Sequence, residues 1–410
     1  MPVDILVIGG GASGLMAAGR AAECGARVTV LEKMPRLGLK LGLTGKGRCN
    51  VTNASSLTDY TAGFHPDGRF LTNALNRFFW TDMIAFLEKW KVTTVVERGN
   101  RVFPASNRAL DVVSALLRYT KANGVKILKG IEVKRILTER NRVKGADTNQ
   151  GIFPADRVIL ATGGASYPQT GSTGDGFRIA AELGHGVTKI RPYLIPLVVK
   201  EEYVKDLQGL SLKNVKVTVY VDGKRVGDEF GEMIFTHFGV SGPIILTLSG
   251  TVVDRLGAGK VEISICLKPA LDAGMLDARL KREFTDQGKK GFKNILPALV
   301  PKRLAEIIPV LSGIPSDKKG GQITAEERRR LAAFLHDWRL NVTGARPLSE
   351  AIITAGGVLT KEINPITMES KRIKGLYFCG EVVDLQARTG GFNLQMAFTT
   401  GWIAGESASA

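Results

Sequence analysis

The sequence is poor in the residues that build disulfide scaffolds and metal centres. Its 410 residues include only four cysteines and four scattered histidines. No two cysteines lie close together, which excludes a disulfide framework and leaves no metal-binding motif, so we expect no metal. No apolar run approaches the roughly 18 residues that a membrane span requires. The N-terminus lacks the basic segment of a secretory signal, and we therefore expect a cytoplasmic protein with no membrane span.

Acidic residues are also scarce. The chain has 39 of them against 56 basic residues, a formal net charge of +17, and 44% of its residues are hydrophobic, enough to bury substantial cores. A positive surface favours anionic partners such as nucleotides, acidic substrates or nucleic acid. Because no long Lys/Arg block is present, the sequence favours a small-molecule substrate and disfavours nucleic acid. It carries no indication of oligomeric state.

Glycine, in contrast, is abundant, with 48 residues. The opening segment predicts a buried strand, Val3–Ile8, then a glycine-rich turn, an Ala-rich helix and a second strand, Arg27–Glu32. In the turn, Gly9 permits a tight bend, Gly11 allows backbone to approach a diphosphate, and Gly14 allows helix and strand to pack closely. This βαβ unit predicts a dinucleotide-binding domain.

The predicted helix start supplies the diphosphate contacts. Backbone N–H groups at Ala12 and Ser13 would face the phosphates at the positive end of the helix. Glu32, at the end of the second strand, would accept hydrogen bonds from ribose hydroxyls and repel a 2′-phosphate. Both FAD and NAD fit such a site.

A long loop after the second strand favours FAD. Residues 33–53 are rich in glycine and basic residues, where a simple dehydrogenase would proceed directly to a helix. Such a loop suits a long ligand that extends past its diphosphate towards a buried ring. The loop residues predicted to contact the cofactor are Lys33, Lys40, Gly45, Gly47, Arg48 and Cys49, with Cys49 and Cys379 interpreted as packed residues.

Two further segments end strands with glycine, at 157–164 and 375–384, and a Gly-Gly pair precedes the last helix. Strand ends of an open α/β sheet face the ligand crevice, and a helix start aims N–H groups at an anionic flavin edge. These turns lie at opposite ends of the chain, so the cofactor domain must be discontinuous. Its predicted contacts here are Ala161, Thr162, Gly163, Gly164, Gly380, Glu381, Asp384, Gly390, Gly391, Phe392, Asn393 and Leu394.

Four long motifs, residues 31–53, 161–185, 235–246 and 375–405, carry a family resemblance that spans nearly the whole chain. The sequence resembles the bacterial three-domain FAD-binding flavoproteins of the aminoacetone oxidase and BaiN type. One departure is Lys46, where the family usually has glycine. The resemblance implies FAD, a barrel-like insert and a small helical insert, but no particular substrate, because members differ in substrate.

The expected fold is α/β, with a discontinuous Rossmann-like FAD-binding domain, an inserted β-barrel-like domain and a small helical domain. Valine-rich alternation around a hairpin at Asp222–Gly223 supports the barrel, and helical periodicity supports the helical insert. The expected boundaries are 1–191 and 347–410 for the FAD domain, 192–270 for the barrel-like insert, 271–337 for the helical insert and 338–346 for a returning barrel strand.

Candidate acid, base and orienting groups are few. Tyr167 follows a predicted cofactor turn and is a candidate proton donor, Arg48 and Asn50 are candidates to orient a carbonyl, and His237 lies in a family motif. No histidine beside the glycine motifs suggests covalent attachment, so FAD is expected to bind non-covalently. No second nucleotide fingerprint is present, so NAD(P)H would bind only transiently.

We therefore expect an enzyme, a FAD-dependent oxidoreductase that moves hydride between flavin and a small organic or steroid-like substrate. The leading form is NAD(P)H-driven reduction of an activated C=C bond. An oxygen-using amine oxidase that releases hydrogen peroxide is the alternative. Two further alternatives are an RNA-binding flavoprotein, with residues 1–150 and 271–340 as its basic footprint, and a redox sensor without turnover.

Overall fold

The structure is a computed structural model that describes residues 2–410, and alternating strands and helices dominate its first 200 residues. In this described range the strands are β1 (Asp4–Ile8), β2 (Arg27–Glu32), β3 (Thr52–Asn53), β4 (Phe64–His65), β5 (Thr94–Glu97), β6 (Arg101–Pro104), β7 (Lys126–Lys129), β8 (Val133–Glu139), β9 (Arg142–Thr148), β10 (Gly151–Pro154), β11 (Arg157–Leu160), β12 (Arg191–Tyr193), β13 (Leu197–Val199), β14 (Ser211–Val221), β15 (Lys224–Thr236), β16 (Gly239–Ser241), β17 (Val261–Cys266), β18 (Trp338–Ala345), β19 (Ile353–Ala355), β20 (Leu376–Phe378) and β21 (Gln386–Ala387).

The helices vary from one turn to five turns. They are α1 (Ala12–Glu23), α2 (Leu39–Leu43), α3 (Leu57–Ala62), α4 (Thr72–Leu75), α5 (Trp80–Lys89), α6 (Ala109–Ala122), α7 (Asp175–Glu182), α8 (Pro243–Val253), α9 (Ala273–Asp286), α10 (Phe292–Ile295), α11 (Lys302–Ser312), α12 (Ala325–His336) and α13 (Phe392–Ser409). None of those in the described chain combines the length and apolar character that crossing a membrane requires.

The chain divides into two compact units. The first unit joins the described residues up to Tyr193 with Pro347–Ala410, and the second unit is Leu194–Arg346. The sequence predicts the first boundary between the units at residues 191 and 192, two residues earlier than in the structure. It predicts the second boundary at residues 346 and 347, where the structure also has it.

A five-stranded parallel sheet in the order β20-β11-β1-β2-β7 forms the centre of the first unit. Its middle strand β1 is almost fully buried, as its continuous apolar run requires. Helices α1 and α13 pack closely because α13 presents glycines to α1. A Cβ on Gly401 would lie 2.4 Å from the Ser13 carbonyl oxygen, and one on Gly405 would lie 2.3 Å from that of Ala17. The two ends of the chain are thereby joined in one core.

The second unit is built on a closed barrel of six strands, β13-β16-β15-β14-β17-β18. The hairpin between β14 and β15 turns at Asp222–Gly223, as its sequence predicts. The helices α9 to α12 do not form a core of their own. Leu276, Leu280 and Leu335 belong to the same buried cluster as the barrel residues Phe235 and Trp338. The helical insert and the barrel are therefore one unit with one hydrophobic core.

Candidate functional site

The glycine-rich turn between β1 and α1 has the close contacts that its sequence predicts. Gly9 has φ +104°, and a Cβ there would lie 2.5 Å from the Ala161 carbonyl oxygen. A Cβ on Gly14 would lie 1.9 Å from the Gly9 carbonyl oxygen. A Cβ on Gly11, in contrast, would meet no atom within 4 Å. Gly9 and Gly14 are thus required by the fold, whereas Gly11 borders open space where a ligand can approach.

Helix α1 begins at Ala12, directly after that open space. Its first turn contains no acidic side chain that would neutralise the positive end of the helix. The first N–H groups of a helix have no intrahelical partner, so those of Ala12 and Ser13 can donate to a diphosphate. The Ser13 hydroxyl instead donates to the Cys379 carbonyl oxygen at 3.5 Å, which links the helix start to the end of β20.

Glu32 is fixed beside this turn by backbone donors. One carboxylate oxygen accepts from the Gly10 N–H at 2.7 Å, and the other accepts from the Met34 N–H at 2.8 Å. A carboxylate accepts about four hydrogen bonds, so each oxygen keeps capacity for a ribose hydroxyl. The predicted contact of Glu32 with a ribose stays a prediction.

Lys33 is directed to the start of α7. Its ammonium group donates to Thr173 and to Asp175. Burial opposes the ionisation of Asp175, but the hydrogen bonds from Lys33 and Thr173 hold its pKa below the ordinary value. Asp175 is the first residue of α7 and Gly174 is its N-cap. The Asp175 carboxylate therefore pairs with Lys33 and does not cap the helix. The predicted contact of Lys33 with the cofactor stays a prediction.

Lys40 connects three segments that are distant in sequence. Its ammonium group donates to the Ser166 hydroxyl at 2.7 Å and to a Glu381 carboxylate oxygen at 2.8 Å. The other Glu381 oxygen accepts from the Thr354 N–H at 2.7 Å, and a Cβ on Gly164 would lie 2.4 Å from the Thr354 hydroxyl. Lys40 and Glu381 are contacts predicted from the sequence, whereas Ser166 and Thr354 are not, because nothing in the sequence pairs residues so far apart.

The loop from Gly45 to Asn50 has an unusual backbone. Gly45, Lys46, Gly47 and Cys49 all have positive φ, at 58°, 56°, 86° and 61°. The left-handed conformation of Lys46 gives a physical reason for glycine at this position in the resembled family. The side-chain oxygen of Asn50 is buried and has no hydrogen-bond partner in residues 2–410. An unsatisfied buried acceptor is costly, so this oxygen is available to a donor on a ligand.

The two cysteines in the cofactor motifs are packed thiols. Cys49 and Cys379 are fully buried. Burial raises the pKa of each thiol to about 12, although Thr44 and Ser13, respectively, lower it by hydrogen bonding. Thiolates rather than thiols are reactive, so neither residue is suited to a dithiol relay. Within residues 2–410, no three histidine, cysteine or acidic side chains cluster closely enough to hold a metal ion.

Arg48 is engaged with the β5–β6 hairpin. Its guanidinium group donates to Glu97 and, at 2.7 Å, to the Asn107 side-chain oxygen. It lies over the Phe103 ring, 4.3 Å from the ring centre. Neither Glu97 nor Asn107 is predicted from the sequence. Arg48 can reach a ligand only by sharing or exchanging these partners, and its predicted roles in cofactor binding and catalysis remain predictions.

The residues after β11 form a second sharp turn. Gly163 has φ +72°, Ala161 is buried, and the Thr162 hydroxyl is a buried group with no partner among the described residues. A Cβ on Gly176 would lie 2.0 Å from that hydroxyl oxygen. Strand end and helix α7 therefore meet closely at the carboxyl edge of the sheet, where ligands of this fold bind.

The C-terminal motif contains two more glycine-dependent turns. Gly380 has φ +74°, and a Cβ there would lie 2.4 Å from the Ser13 hydroxyl oxygen. Gly390 and Gly391 also have positive φ, and Gly391 is the N-cap of α13. A Cβ on Gly391 would lie 2.3 Å from the Thr52 carbonyl oxygen. The α13 start is therefore held against β3, which follows the Gly45–Asn50 loop.

Three predicted contacts near α13 have internal partners. Asn393 accepts from the Ala387 N–H and donates to the Ala387 carbonyl oxygen, both at 2.9 Å. Phe392 is buried and stacks on Tyr60 with ring centres 4.5 Å apart. Burial raises the pKa of Asp384, although a hydrogen bond with Thr188 lowers it. These three residues shape the loop, and Leu394, partly buried, follows them in α13.

The remaining catalytic candidates, Tyr167 and His237, belong to different units. Tyr167 has left-handed backbone, φ 53° and ψ 58°, and its N–H donates to the Ser349 carbonyl oxygen at 3.3 Å. It belongs to the first unit with Arg48 and Asn50. His237 belongs to the second unit, where it is exposed and contacts the Phe238 ring. The roles of Tyr167 and His237 stay predictions.

Comparison with known proteins identifies the family. The model of the HI0933-like protein Rossmann domain matches residues 3–407. The chain belongs to the HI0933-like family. It is therefore an enzyme, a FAD-dependent oxidoreductase. The open space at Gly11, the free α1 donors and the unpaired Asn50 oxygen fit the FAD of this HI0933-like protein.

Two relatives match nearly the whole chain. The 3-dehydro-bile acid delta(4,6)-reductase of Clostridium scindens is 31% identical over 407 residues, covering 98% of each protein. The ribosomal RNA dihydrouridine synthase of Haemophilus influenzae is 31% identical over 409 residues, also covering 98% of each. Among solved structures, 3-ketosteroid-delta4-(5alpha)-dehydrogenase from Rhodococcus jostii RHA1 has a TM-score of 0.55 at 15% identity, covering 100% of this chain and 97% of that one. This last similarity shows a shared fold.

Proposed function

We propose that this HI0933-like protein reduces the 5,6 double bond of uridine in RNA, with NAD(P)H as the hydride source. Two relatives at the same identity are named for reductions, one of a bile acid and one of uridine in ribosomal RNA. Dihydrouridine differs from uridine by two hydrogens on a C=C bond conjugated to a carbonyl. Reduction of a conjugated C=C bond is thus the chemistry that we carry over to this chain.

The excess of positive charge is the observation that favours RNA over a bile acid. The formal net charge is +17, and both units contribute. The first unit has 32 basic and 21 acidic residues, and the second has 24 and 18. A small substrate needs only a local charge, whereas a polyanion is attracted by a charge spread over a surface. We therefore propose RNA as the partner, although the lack of a long Lys/Arg block disfavours nucleic acid. With an RNA substrate, we expect the enzyme in the cytoplasm.

Bound FAD would supply the hydride chemistry of such a reduction. The remaining tasks fall to the protein: it holds the uracil carbonyl and delivers one proton to the carbon beside it. We assign the proton to the Tyr167 hydroxyl. The unpaired Asn50 oxygen can accept a hydrogen bond from an imide N–H, a group that both uracil and the flavin ring contain.

Reduction of a steroid-like enone is the second candidate, because the bile acid reductase matches this chain as well as the RNA enzyme does. One anaerobic experiment separates the two. Purified protein loaded with FAD is incubated with NADH or NADPH and either unmodified ribosomal RNA transcripts or a 3-keto-4-ene steroid. Mass spectrometry then measures dihydrouridine in digested RNA and the reduced steroid.

The proposal expects dihydrouridine at a defined RNA position and no steroid turnover. Steroid reduction without dihydrouridine would establish the second candidate instead. Peroxide formed from an amine in air would favour the oxidase alternative, and a flavin that is reduced without turning over any acceptor would favour the sensor. A Tyr167→Phe variant should lower the dihydrouridine rate at least about tenfold while keeping NAD(P)H-dependent flavin bleaching, because only proton delivery is removed.

A further inference from the structure

Two copies of the tripeptide Lys-Lys-Gly lie against each other in the second unit. Lys289–Gly291 follows helix α9, and Lys318–Gly320 precedes helix α12. They are joined by an antiparallel bridge between Gly291 and Lys319. Three backbone hydrogen bonds extend the contact: Phe292 N–H to Lys318 at 2.8 Å, Gly320 N–H to Lys290 at 3.0 Å and Lys293 N–H to Ser316 at 3.0 Å. We call residues 286–293 and 316–321 the lysine loops.

The lysine loops are anchored in the core of the second unit. Phe292 and Ile295 are fully buried at their base. A Cβ on Gly320 would lie 2.7 Å from the Ile295 side chain and 2.9 Å from the Phe284 carbonyl oxygen. The two loops therefore approach too closely for a side chain at that position. This packing fixes the backbone positions from which the lysines project.

The lysine loops contain five lysines and two aspartates, Asp286 and Asp317. Lys318 is neutralised by Glu327, whose two oxygens accept from it at 2.7 and 2.8 Å. Lys290 donates to the uncharged Gln287 side chain at 3.1 Å. The other three lysines are exposed and have no ion pair or side-chain hydrogen bond within residues 2–410; they are Lys289, Lys293 and Lys319.

We propose that the lysine loops bind the phosphodiester backbone of the RNA substrate. The proposal rests on the proposed function, which supplies a polyanionic substrate. Lysine ammonium groups act as point charges for phosphate, and phosphate contacts position an RNA without reading its sequence. The lysine loops expose no apolar side chain, since Phe292 is buried. An anionic membrane surface would favour apolar residues beside the lysines, so RNA is the occupant that this surface fits.

The test compares two double variants that change the net charge equally. K289E/K319E removes two unpaired lysines of the lysine loops. K213E/K224E removes two exposed lysines of the barrel strands β14 and β15, which also have no recorded side-chain partner. Binding of unmodified ribosomal RNA transcripts is measured by fluorescence anisotropy over a series of KCl concentrations, and dihydrouridine formation is measured at several RNA concentrations.

Two lost phosphate contacts should reduce the slope of log K against log salt by about 1.4 to 1.8. At low salt we expect K289E/K319E to weaken RNA binding at least about tenfold and to raise KM for RNA while leaving kcat unchanged. K213E/K224E should behave like the wild type. A K289E/K319E protein that matches K213E/K224E in salt slope and KM would overturn the proposal.

Two outcomes distinguish failure of the proposed function from failure of the lysine-loop proposal. If the wild-type protein neither binds nor modifies RNA, the proposed function fails, and this proposal fails with it. If the wild type modifies RNA and K289E/K319E does so equally well, only the lysine-loop proposal fails. Vesicles of phosphatidylcholine and phosphatidylserine form the last arm. Loss of vesicle binding with unchanged RNA binding in K289E/K319E would identify a membrane surface and overturn the proposal.

Discussion

The two units of this protein differ in the interactions that determine their structures. In the first unit, positions such as Gly9, Gly14 and Gly391 are determined by backbone approaches under about 3 Å, and almost any side chain there would break the turn. In the second unit, a single core of aliphatic and aromatic side chains holds the barrel and the helices together, although close backbone approaches also occur there, at Gly239 and Gly320. We therefore expect substitutions in the cofactor turns of the first unit and in the core of the second unit to have separable effects.

The largest effect should come from the core of the second unit. Trp338 is buried among Phe235, Phe334 and Tyr203, and its indole N–H donates to the Tyr203 hydroxyl at 3.1 Å. Trp338→Ala should destabilise this unit by about 3 to 5 kcal/mol. Urea unfolding followed by limited proteolysis checks it. If the two units fold independently of each other, the variant keeps its FAD affinity. Loss of FAD binding together with unfolding of the barrel would show that they do not.

Gly11→Ala should separate cofactor binding from folding in the first unit. Its Cβ would meet no protein atom within 4 Å but would enter the space expected for the diphosphate. We expect FAD affinity to fall about 100-fold, or about 2.7 kcal/mol, with the melting temperature of the FAD-free protein unchanged. Fluorescence titration with FAD measures this. Gly344→Ala, also without a neighbour within 4 Å but in the second unit, is the matched control and should bind FAD normally.

Glu32→Gln should have a smaller effect on FAD. The carboxamide nitrogen cannot accept a hydrogen bond, so either the Gly10 or the Met34 N–H loses its partner and one ribose contact is lost. A loss of about tenfold in FAD affinity is expected, about 1.4 kcal/mol. The exposed Glu132→Gln provides a charge-matched control. Equal FAD affinity in the two variants would show that Glu32 does not face the cofactor.

The smallest effect concerns pH and His185. Burial lowers the pKa of this imidazole, which contacts the Ser370 hydroxyl at 2.7 Å and packs against Phe378. The unfolded chain takes up the proton near pH 6.5 while the folded chain resists it, so stability is fully present above that pH and is lost as the pH falls. The slope is at most about 1.4 kcal/mol per pH unit.

Thermal unfolding between pH 7.5 and pH 5 measures this slope. His185→Gln should flatten it relative to the wild type, and the exposed His65→Gln should not. A His185→Gln protein with the wild-type slope would mean that other groups determine acid sensitivity in the first unit.

Local sequence signals predicted the first unit well. The glycines at 9–14, Glu32 at a strand end and the Gly390–Gly391 helix start each follow from nearest-neighbour chemistry. The ion pairs that connect distant segments of the site could not be predicted from such local signals. Lys40 and Glu381 are separated by 341 residues and Arg48 and Glu97 by 49, and no local pattern specifies such a pairing.

Helix α8 is the main element of the second unit that was not predicted from the sequence. Its sequence, PIILTLSGTVV, is apolar on nearly every side, so it has no periodicity that distinguishes a buried helix from a strand. The available signal was Pro243 at the first helical position, where proline is favoured. The merged core of barrel and helices was also missed, because the helical periodicity shows which face is buried but not what covers it.

A single turnover without oxygen tests most directly whether RNA is the substrate. The FAD-loaded enzyme is reduced with one equivalent of NADPH, unmodified ribosomal RNA is added, and flavin absorbance and dihydrouridine are followed in the same sample. We expect the oxidised flavin spectrum to return on RNA addition, with one dihydrouridine formed for each flavin reoxidised. A flavin that stays reduced with RNA but is reoxidised by a 3-keto-4-ene steroid would contradict it.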